Sequence, residues 1–326
     1  MARVEGFLRI VFLFLANLSL IPARGDTEDY QRREYSLVKP YYDGRWDFQG
    51  ATIVTNNYVR LTADRQSQAG SIWNTAPCGL RDWEMHVHFK IHGSGSDLFG
   101  DGMTIWYAKD RMEPGPVFGS KDYFHGLAIF LDTYSNHNGP HNHAHPYLSA
   151  MVNNGTLHYD HDRDGTHTQI AGCESNFRGV TQDTYIAIRY ENNVLTVSTD
   201  VDGKDTWKEC FVVKGIRLPT NYYFGASATT GELADNHDVV SMKLYDLSKQ
   251  AQDGDEDLSN IVPSADFFTP PRDHVEDPHG GYTSSRLTGW KLFVVIVLGI
   301  IGVAVCGMVG YVIFAKRAED ARKRFY

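Results

Sequence analysis

The sequence predicts an all-β protein: a jelly-roll sandwich of two antiparallel sheets, followed by one C-terminal transmembrane helix. Three observations predict it. First, Trp83 to His92 alternates strictly, apolar at odd positions and polar at even ones, the mark of a strand with one face buried. Second, Gly126 to Leu131 is an unbroken run of apolar or small residues, which reads as a strand buried on both faces. Third, further short runs lie between clusters of Gly, Asn, Asp and Pro: Met103 to Tyr107, Tyr147 to Val152, Tyr185 to Tyr190, Val194 to Thr199, Tyr222 to Ala228 and Val239 to Leu247. Many short strands with turn chemistry between them pack as two sheets. The 30 glycines and 13% aromatics of this 326-residue chain agree with that class, and its 22% charged and 42% hydrophobic residues are globular proportions. A net charge of −9 offers no basic face and argues against a nucleic-acid partner.

In chain order, residues 1–25 read as a secretory signal. Arg3 and Arg9 precede an apolar core from Ile10 to Ile21, and Ala23-Arg24-Gly25 supplies small residues for cleavage. That core is too short to span a bilayer. Residues 26–249 form the luminal domain, in which His86, His88 and His92 occupy the outward face of the alternating strand and are expected to be merely solvated. Residues 250–289 are acidic and proline-containing without heptads, the composition of a weakly structured stalk. The transmembrane helix is placed at 290–315, where Leu292 to Ala315 carries no charge and Trp290 and Tyr311 suit the interfaces. Lys316, Arg317, Arg322, Lys323 and Arg324 then place the short tail, 316–326, on the cytoplasmic side, ending Lys323-Arg324-Phe325-Tyr326 as a sorting address.

Of four cysteines, Cys306 lies in the span and Cys78 follows Pro77 without an obvious mate. Cys173 and Cys210 flank a pair of strands, and a secreted context favours joining them. Such a link contributes roughly 4 kcal/mol in the loop-entropy model. Asn154-Gly155-Thr156 is an N-glycosylation sequon in a hairpin turn.

The strand through Leu131 ends in Asp132, Tyr134, Ser135 and Asn136. Period two puts Asp132, Tyr134 and Asn136 on one side. A carboxylate, a carbonyl and an amide oxygen converging there are what a hard cation such as Ca²⁺ requires, and a polar turn at a strand end is the plainer alternative. Three further fragments can reach this point: Gly100-Asp101-Gly102, Asp160-His161-Asp162-Arg163-Asp164 and Thr230-Gly231-Glu232-Leu233. Beside the cation loop run His137, His141, His143 and His145. Their spacing admits Zn²⁺, a protonation sensor working near pH 6, or a simple polar loop.

Together these fragments resemble the leguminous-type (L-type) animal lectins. GSIWN (70–74), WEMHVHFK (83–90), GDG (100–102), PGPVFGSKDYFHGLAIFLDTY (114–134), MVNNG (151–155), YDHDRD (159–164), RLPTNYYFGASATTGEL (217–233) and NHD (236–238) match in order. The resemblance implies a concanavalin-like jelly roll that binds high-mannose N-glycans of luminal glycoproteins, with Ca²⁺ as cofactor. Carried over by motif, the metal ligands are Asp132, the Tyr134 carbonyl, Asn136 and Asp164. The carbohydrate contacts are Ser67, Asp101, Tyr134, Ser135, Asn136, His161, Gly231, Glu232 and Leu233. The family also implies a cis Gly100–Asp101 peptide, vesicle-coat components as partners of the tail, and residence in membranes of the endoplasmic reticulum, the intermediate compartment and the Golgi. Relatives carry Gly-Asp-Leu where this chain has Gly231-Glu232-Leu233, which moves one charge by a methylene and is expected to alter a preference for outer Manα1-2Man.

Two other classes compete. Glycoside hydrolases use similar sandwiches, but they need two free carboxyls about 5–9 Å apart across a bond. No strand supplies such a pair facing a groove, and Asp132 and Asp164 would be held by metal, so the chain is not expected to be an enzyme. A sugar-independent adaptor is the remaining class.

Overall fold

The computed structural model describes residues 30–136, 143–248 and 258–265, together with 307, 308 and 311. The expected signal, most of the acidic stalk, the transmembrane helix as a whole, the tail and His137 to Asn142 lie outside the described residues. By contacts the chain divides into Met1–Arg272 and Asp273–Tyr326. In the second unit, 307, 308 and 311 are helical. Among the described residues no helix is long and apolar enough to cross a membrane.

The first unit is built from strands β1 (Trp46–Gly50), β2 (Ile53–Val54), β3 (Val59–Thr62), β4 (Ala69–Asn74), β5 (Trp83–His92), β6 (Gly102–Ala108), β7 (His125–Asp132) and β8 (Tyr147–Asn154). There follow β9 (Ala171–Glu174), β10 (Thr184–Glu191), β11 (Val194–Asp200), β12 (Lys208–Lys214), β13 (Ile216–Arg217), β14 (Tyr223–Thr229), β15 (Asn236–Asp246) and β16 (Ser264–Ala265). The front sheet runs β1-β4-β14-β6-β7-β8-β9 and the back sheet β12-β11-β10-β5-β15-β3-β2. All their ladders are antiparallel. The small β13–β16 pair brings Ser264 and Ala265 against Arg217 and Ile216. The folded unit therefore continues past residue 249, into the start of the expected stalk.

The two diagnostic patterns have different physical causes. In β5 every odd side chain is buried and every even one half-exposed, because one face meets the opposing sheet and the other meets solvent. The outward histidines are more than solvated: His86 Nε2 lies 2.7 Å from Glu84, His88 3.3 Å from Asp183 and His92 3.2 Å from Asp238. A carboxylate holds each ring: Glu84 two positions back on the same strand, Asp183 just before β10, and Asp238 on the neighbouring strand β15.

β7 is covered on both faces. Leu127, Ile129 and Leu131 enter the inter-sheet core with Met85, Val87 and Phe89. Ala128 and Phe130 face a second cluster with Trp73, Trp106, Phe118, Phe124 and Tyr159. Loops thus build an aromatic layer over the outside of the front sheet. Period two puts Asp132 on the Ala128–Phe130 side, so the strand ends in a carboxylate at the edge of that layer.

Cys173 in β9 is bonded to Cys210 in β12, with Cα atoms 5.6 Å apart. The bond joins an edge strand of each sheet. Cys78 is buried and unbonded, and burial pushes its thiol up to about 12.

Candidate functional site

The register of three strands gathers the site. Gly102, the first residue of β6, pairs with Thr229 at the end of β14 and with Asp132 at the end of β7. Asp101, Asp132 and the 230–233 loop therefore emerge at one corner of the front sheet. Only glycine fits position 102: its φ is +145°, and a Cβ there would sit 3.0 Å from the Phe118 ring and 3.1 Å from the Asp132 Cα. The Gly100–Asp101 peptide is cis. Asp101 is tied by its backbone, its N–H donating to the Thr229 carbonyl (3.3 Å) and its carbonyl accepting from the Thr133 N–H and hydroxyl (3.0 Å each).

A cavity of about 300 Å³ opens at this corner, lined among others by Asp101, Asp132, Asn136, His161 and Gly231. These are five of the residues expected from sequence. Two more of them, Ser67 and Glu232, adjoin Gly231. The Ser67 N–H donates to the Gly231 carbonyl (3.0 Å), Gln66 Nε2 donates to the Glu232 carbonyl (2.8 Å), and the Glu232 side chain is exposed. A Cβ on Gly231 would lie 3.4 Å from both Asp101 carboxylate oxygens, which puts the 231 backbone directly beside that carboxylate. One on Gly100 would lie 3.2 Å from the Tyr134 Cβ and 3.7 Å from the Leu233 Cβ, so those side chains wall the Gly100 turn. Ser135 is half-buried next to Asn136.

The walls also include residues outside the expected contacts: Pro116, Phe118, Thr229 and Thr230, the last of these at the head of the 230–233 fragment. His161 Nε2 lies 2.7 Å from the Pro116 carbonyl. A carbonyl only accepts, so Nε2 carries the proton and Nδ1 keeps its lone pair. Burial lowers the imidazole below its usual range, with the Pro116 carbonyl opposing. His161 packs on Phe118 and Tyr159, with ring centroids 5.2 and 4.7 Å away. The site is therefore a polar mouth on an aromatic floor. Burial pushes the Asp101 carboxyl up to about 6.

Behind this mouth Asp132 and Asp164 converge from β7 and from the C-cap of a 3-10 turn, His161–Arg163. They are 6% and 4% exposed. Asp164 Oδ1 accepts from the Asn136 N–H (2.9 Å) and Asp132 Oδ1 from the Tyr134 N–H (3.0 Å). His145 Nε2 stands 3.9 Å from a carboxylate oxygen of each aspartate, and one ligand atom from each of the three residues falls within 4.8 Å of the others. Burial first, and Asp164 second, push the Asp132 carboxyl well above the usual range. Two like charges about 4 Å apart repel by about 4 kcal/mol even at a surface-like dielectric. A divalent cation removes both the repulsion and the burial penalty. The donor set fits one: two carboxylates and the nearby Asn136 amide for a hard ion, with a neutral imidazole alongside. His145 was legible only as one of four histidines. His143 instead stacks on Tyr147, at 3.4 Å and 12°.

Comparison with known proteins matches residues 28–254 to a model described as the legume-like lectin family. The chain belongs to the legume-like lectin family. Vesicular integral-membrane protein VIP36 of Canis lupus familiaris is 52% identical, over 96% of this chain and 91% of that protein. The VIP36-like protein of Homo sapiens is 45% identical, over 93% of this chain and 87% of that one. A crystal structure of the VIP36 exoplasmic/lumenal domain in its Ca²⁺/Man2-bound form superimposes with a TM-score of 0.71 at 54% identity, covering 73% of this chain and 99% of that one. The expected fold is therefore that of the family, and this family member presents its aspartate pair at the corner described above.

Proposed function

We propose that the chain is a Ca²⁺-dependent mannose-binding lectin that takes high-mannose N-glycans on luminal glycoproteins as ligands and is not an enzyme. The observation that carries it is the juxtaposition of the Asp101–Asn136–His161–Gly231 mouth with the buried, like-charged Asp132–Asp164 pair. A solved VIP36 domain that holds Ca²⁺ and Man2 supports the same reading.

Mannose offers vicinal hydroxyls that both donate and accept. Asp101 accepts from one, the 231–233 backbone N–H groups donate to others, and the His161 Nδ1 lone pair accepts from a third. The metal is held by Asp132, the Tyr134 carbonyl, Asn136 and Asp164, with His145 at hand. Bound Ca²⁺ supplies charge compensation and fixes the Asn136 loop before sugar arrives. Tyr134 and Ser135 shape the turn, while Ser67, Glu232 and Leu233 set the edge facing the next sugar residue.

In this proposal residues 1–25 are removed as a signal, the lectin domain faces the lumen, and 290–315 crosses the membrane once. The KRFY tail then engages vesicle-coat components, making the chain a cargo receptor between the endoplasmic reticulum, the intermediate compartment and the Golgi. Asn154 is glycosylated. It is exposed, and its side-chain oxygen accepts from Thr156 Oγ1 at 2.6 Å.

The test is retention of the detergent-solubilised full-length chain on immobilised oligomannose. Retention in calcium and elution by mannose or by EDTA are expected. Equal retention after EDTA rejects the metal's role, and release of free sugar rejects the lectin reading in favour of hydrolysis.

A further inference from the structure

The back sheet carries a second cavity, of about 250 Å³, on its outer face and away from the corner described above. A solvent-facing sheet surface is normally lined by small polar and charged side chains. Here it carries rings. Three residues lie in register across β11, β10 and β5, Asp200 opposite Tyr185 and Tyr185 opposite His88. In the next row His86 faces Ala187 on one side and Lys243 on the other. Ala187 has only a methyl group to fill its place, which leaves the floor hollow. The connection from β11 to β12 brings Trp207 to 5.1 Å from the His86 ring, and Tyr245 lies 4.8 Å from the same ring. The His88 ring packs against Tyr185, 4.4 Å away and tilted by 32°.

The two imidazoles are held in place as walls by Glu84 and Asp183 (2.7 and 3.3 Å). The polar groups that remain around the cavity are mixed in sign. Asp200 and Asp205 offer acceptors, and Lys243 offers a donor. Asp200 is 7% exposed, and its Oδ1 finds no hydrogen-bond partner among the described residues. Trp207 is 39% exposed.

The ligand class follows by elimination. A cation meets Lys243, and an anion meets two carboxylates. A purely apolar group leaves the Asp200 oxygen unmet, which costs more than it gains. A neutral ring with a flat apolar face and both donors and acceptors at its edge meets every condition. The Trp207 and Tyr245 rings accept the flat face, the carboxylates accept hydroxyl or amide protons, and the ammonium donates to a carbonyl. An acetamido group offers an N–H, a C=O and a methyl side by side. We propose that this cavity is a second saccharide site, selective for an N-acetylhexosamine and independent of calcium.

The experiment titrates the full-length chain in detergent with N,N′-diacetylchitobiose in EDTA, followed by tryptophan fluorescence and saturation-transfer NMR. Saturable binding with a dissociation constant on the order of 1 mM is expected, with transfer to the acetyl methyl protons. Trp207→Ala, an exposed change, is expected to weaken it at least about tenfold while leaving calcium-dependent mannose binding unaltered. Asp200→Asn is expected to weaken it likewise. The proposal is overturned by no saturable signal up to about 20 mM, by binding that Trp207→Ala leaves intact, or by binding that mannose displaces, which assigns it to the front corner.

Discussion

Burial pushes the Asp101 carboxyl up to about 6, and in the proposed site that carboxyl is the acceptor for a mannose hydroxyl. The ionised form accepts a hydroxyl proton better than the neutral acid does. Affinity is therefore full above the titration midpoint and lost as pH falls through it, tending towards tenfold per pH unit. A bound cation draws the midpoint down, so at saturating calcium it lies at or below 6. Mannose dissociation constants measured between pH 7.5 and 5 at saturating calcium check this. Asp101→Asn should bind weakly at every pH, and a flat profile for the unaltered protein counts against Asp101 as the acceptor. Glu232 poses a different question. Its carbonyl is fixed by Gln66, whereas its side chain is exposed. Glu232→Asp should therefore change the ranking of glycans ending in Manα1-2Man on an array and leave free mannose within about twofold, which is less than 0.5 kcal/mol. An unchanged ranking would show that the extra methylene does not reach the ligand.

Two loops that flank the mouth are tied together by one guanidinium. Arg178 donates to both oxygens of buried Asp235 (2.9 and 2.8 Å) and to the Gly95 carbonyl (2.8 Å), and it lies 3.6 Å over the Phe99 ring. Phe99 precedes Asp101 by two residues, and Asp235 follows Leu233 by two. The pair thus couples the Asp101 side of the mouth to the 231–233 side. Arg178→Lys keeps the charge but loses the fork. It should weaken mannose binding about tenfold, or about 1.4 kcal/mol, while calcium affinity stays within about twofold. Calorimetric titration of each ligand separates the two, and parallel losses would make Arg178 a general stabiliser only. None of this clamp was legible in the sequence, because its partners are separated by 57 and 83 positions. β5 and β7 were legible because their burial follows a local rule, one face in the first case and both in the second. β12 escaped notice as an exposed edge with no clean alternation, and β4 because its buried positions include Gly70, Ser71 and Asn74. In the site, Asp132 and Asn136 announce themselves as polar groups ending an apolar strand. Asp164 and His161 needed the family resemblance, since nothing local sets them apart from a solvated acidic loop. Pro116, Phe118 and Thr229 contribute shape and a carbonyl, for which residue identity carries no signature.

At the scale of the whole first unit, two sheets close on a shared core, and Cys173–Cys210 joins their edges. The front corner works against that stability. Its two buried aspartates repel, and burial and Asp164 hold the Asp132 carboxyl far above its ordinary range. For the metal-free protein the sign is clear: a carboxyl raised in the fold destabilises it at neutral pH, and protonation relieves the cost as pH falls through the raised value. On the proposed reading calcium supplies the same relief at neutral pH by binding only the folded state. At a concentration 100 times its dissociation constant it adds about 2.7 kcal/mol. For a domain of this size that is a rise in Tm of roughly 5–11 °C. Differential scanning fluorimetry of the full-length chain with excess calcium and with EDTA measures it. Asp164→Asn removes one charge of the pair. It should raise the Tm measured in EDTA and abolish the calcium-dependent increment, since the feature that destabilises the empty corner is the one that binds the ion. A Tm in EDTA lower than that of the unaltered chain would mean that the Asp164 bond to the Asn136 N–H outweighs the repulsion. A calcium increment that survives the substitution would place the ion elsewhere.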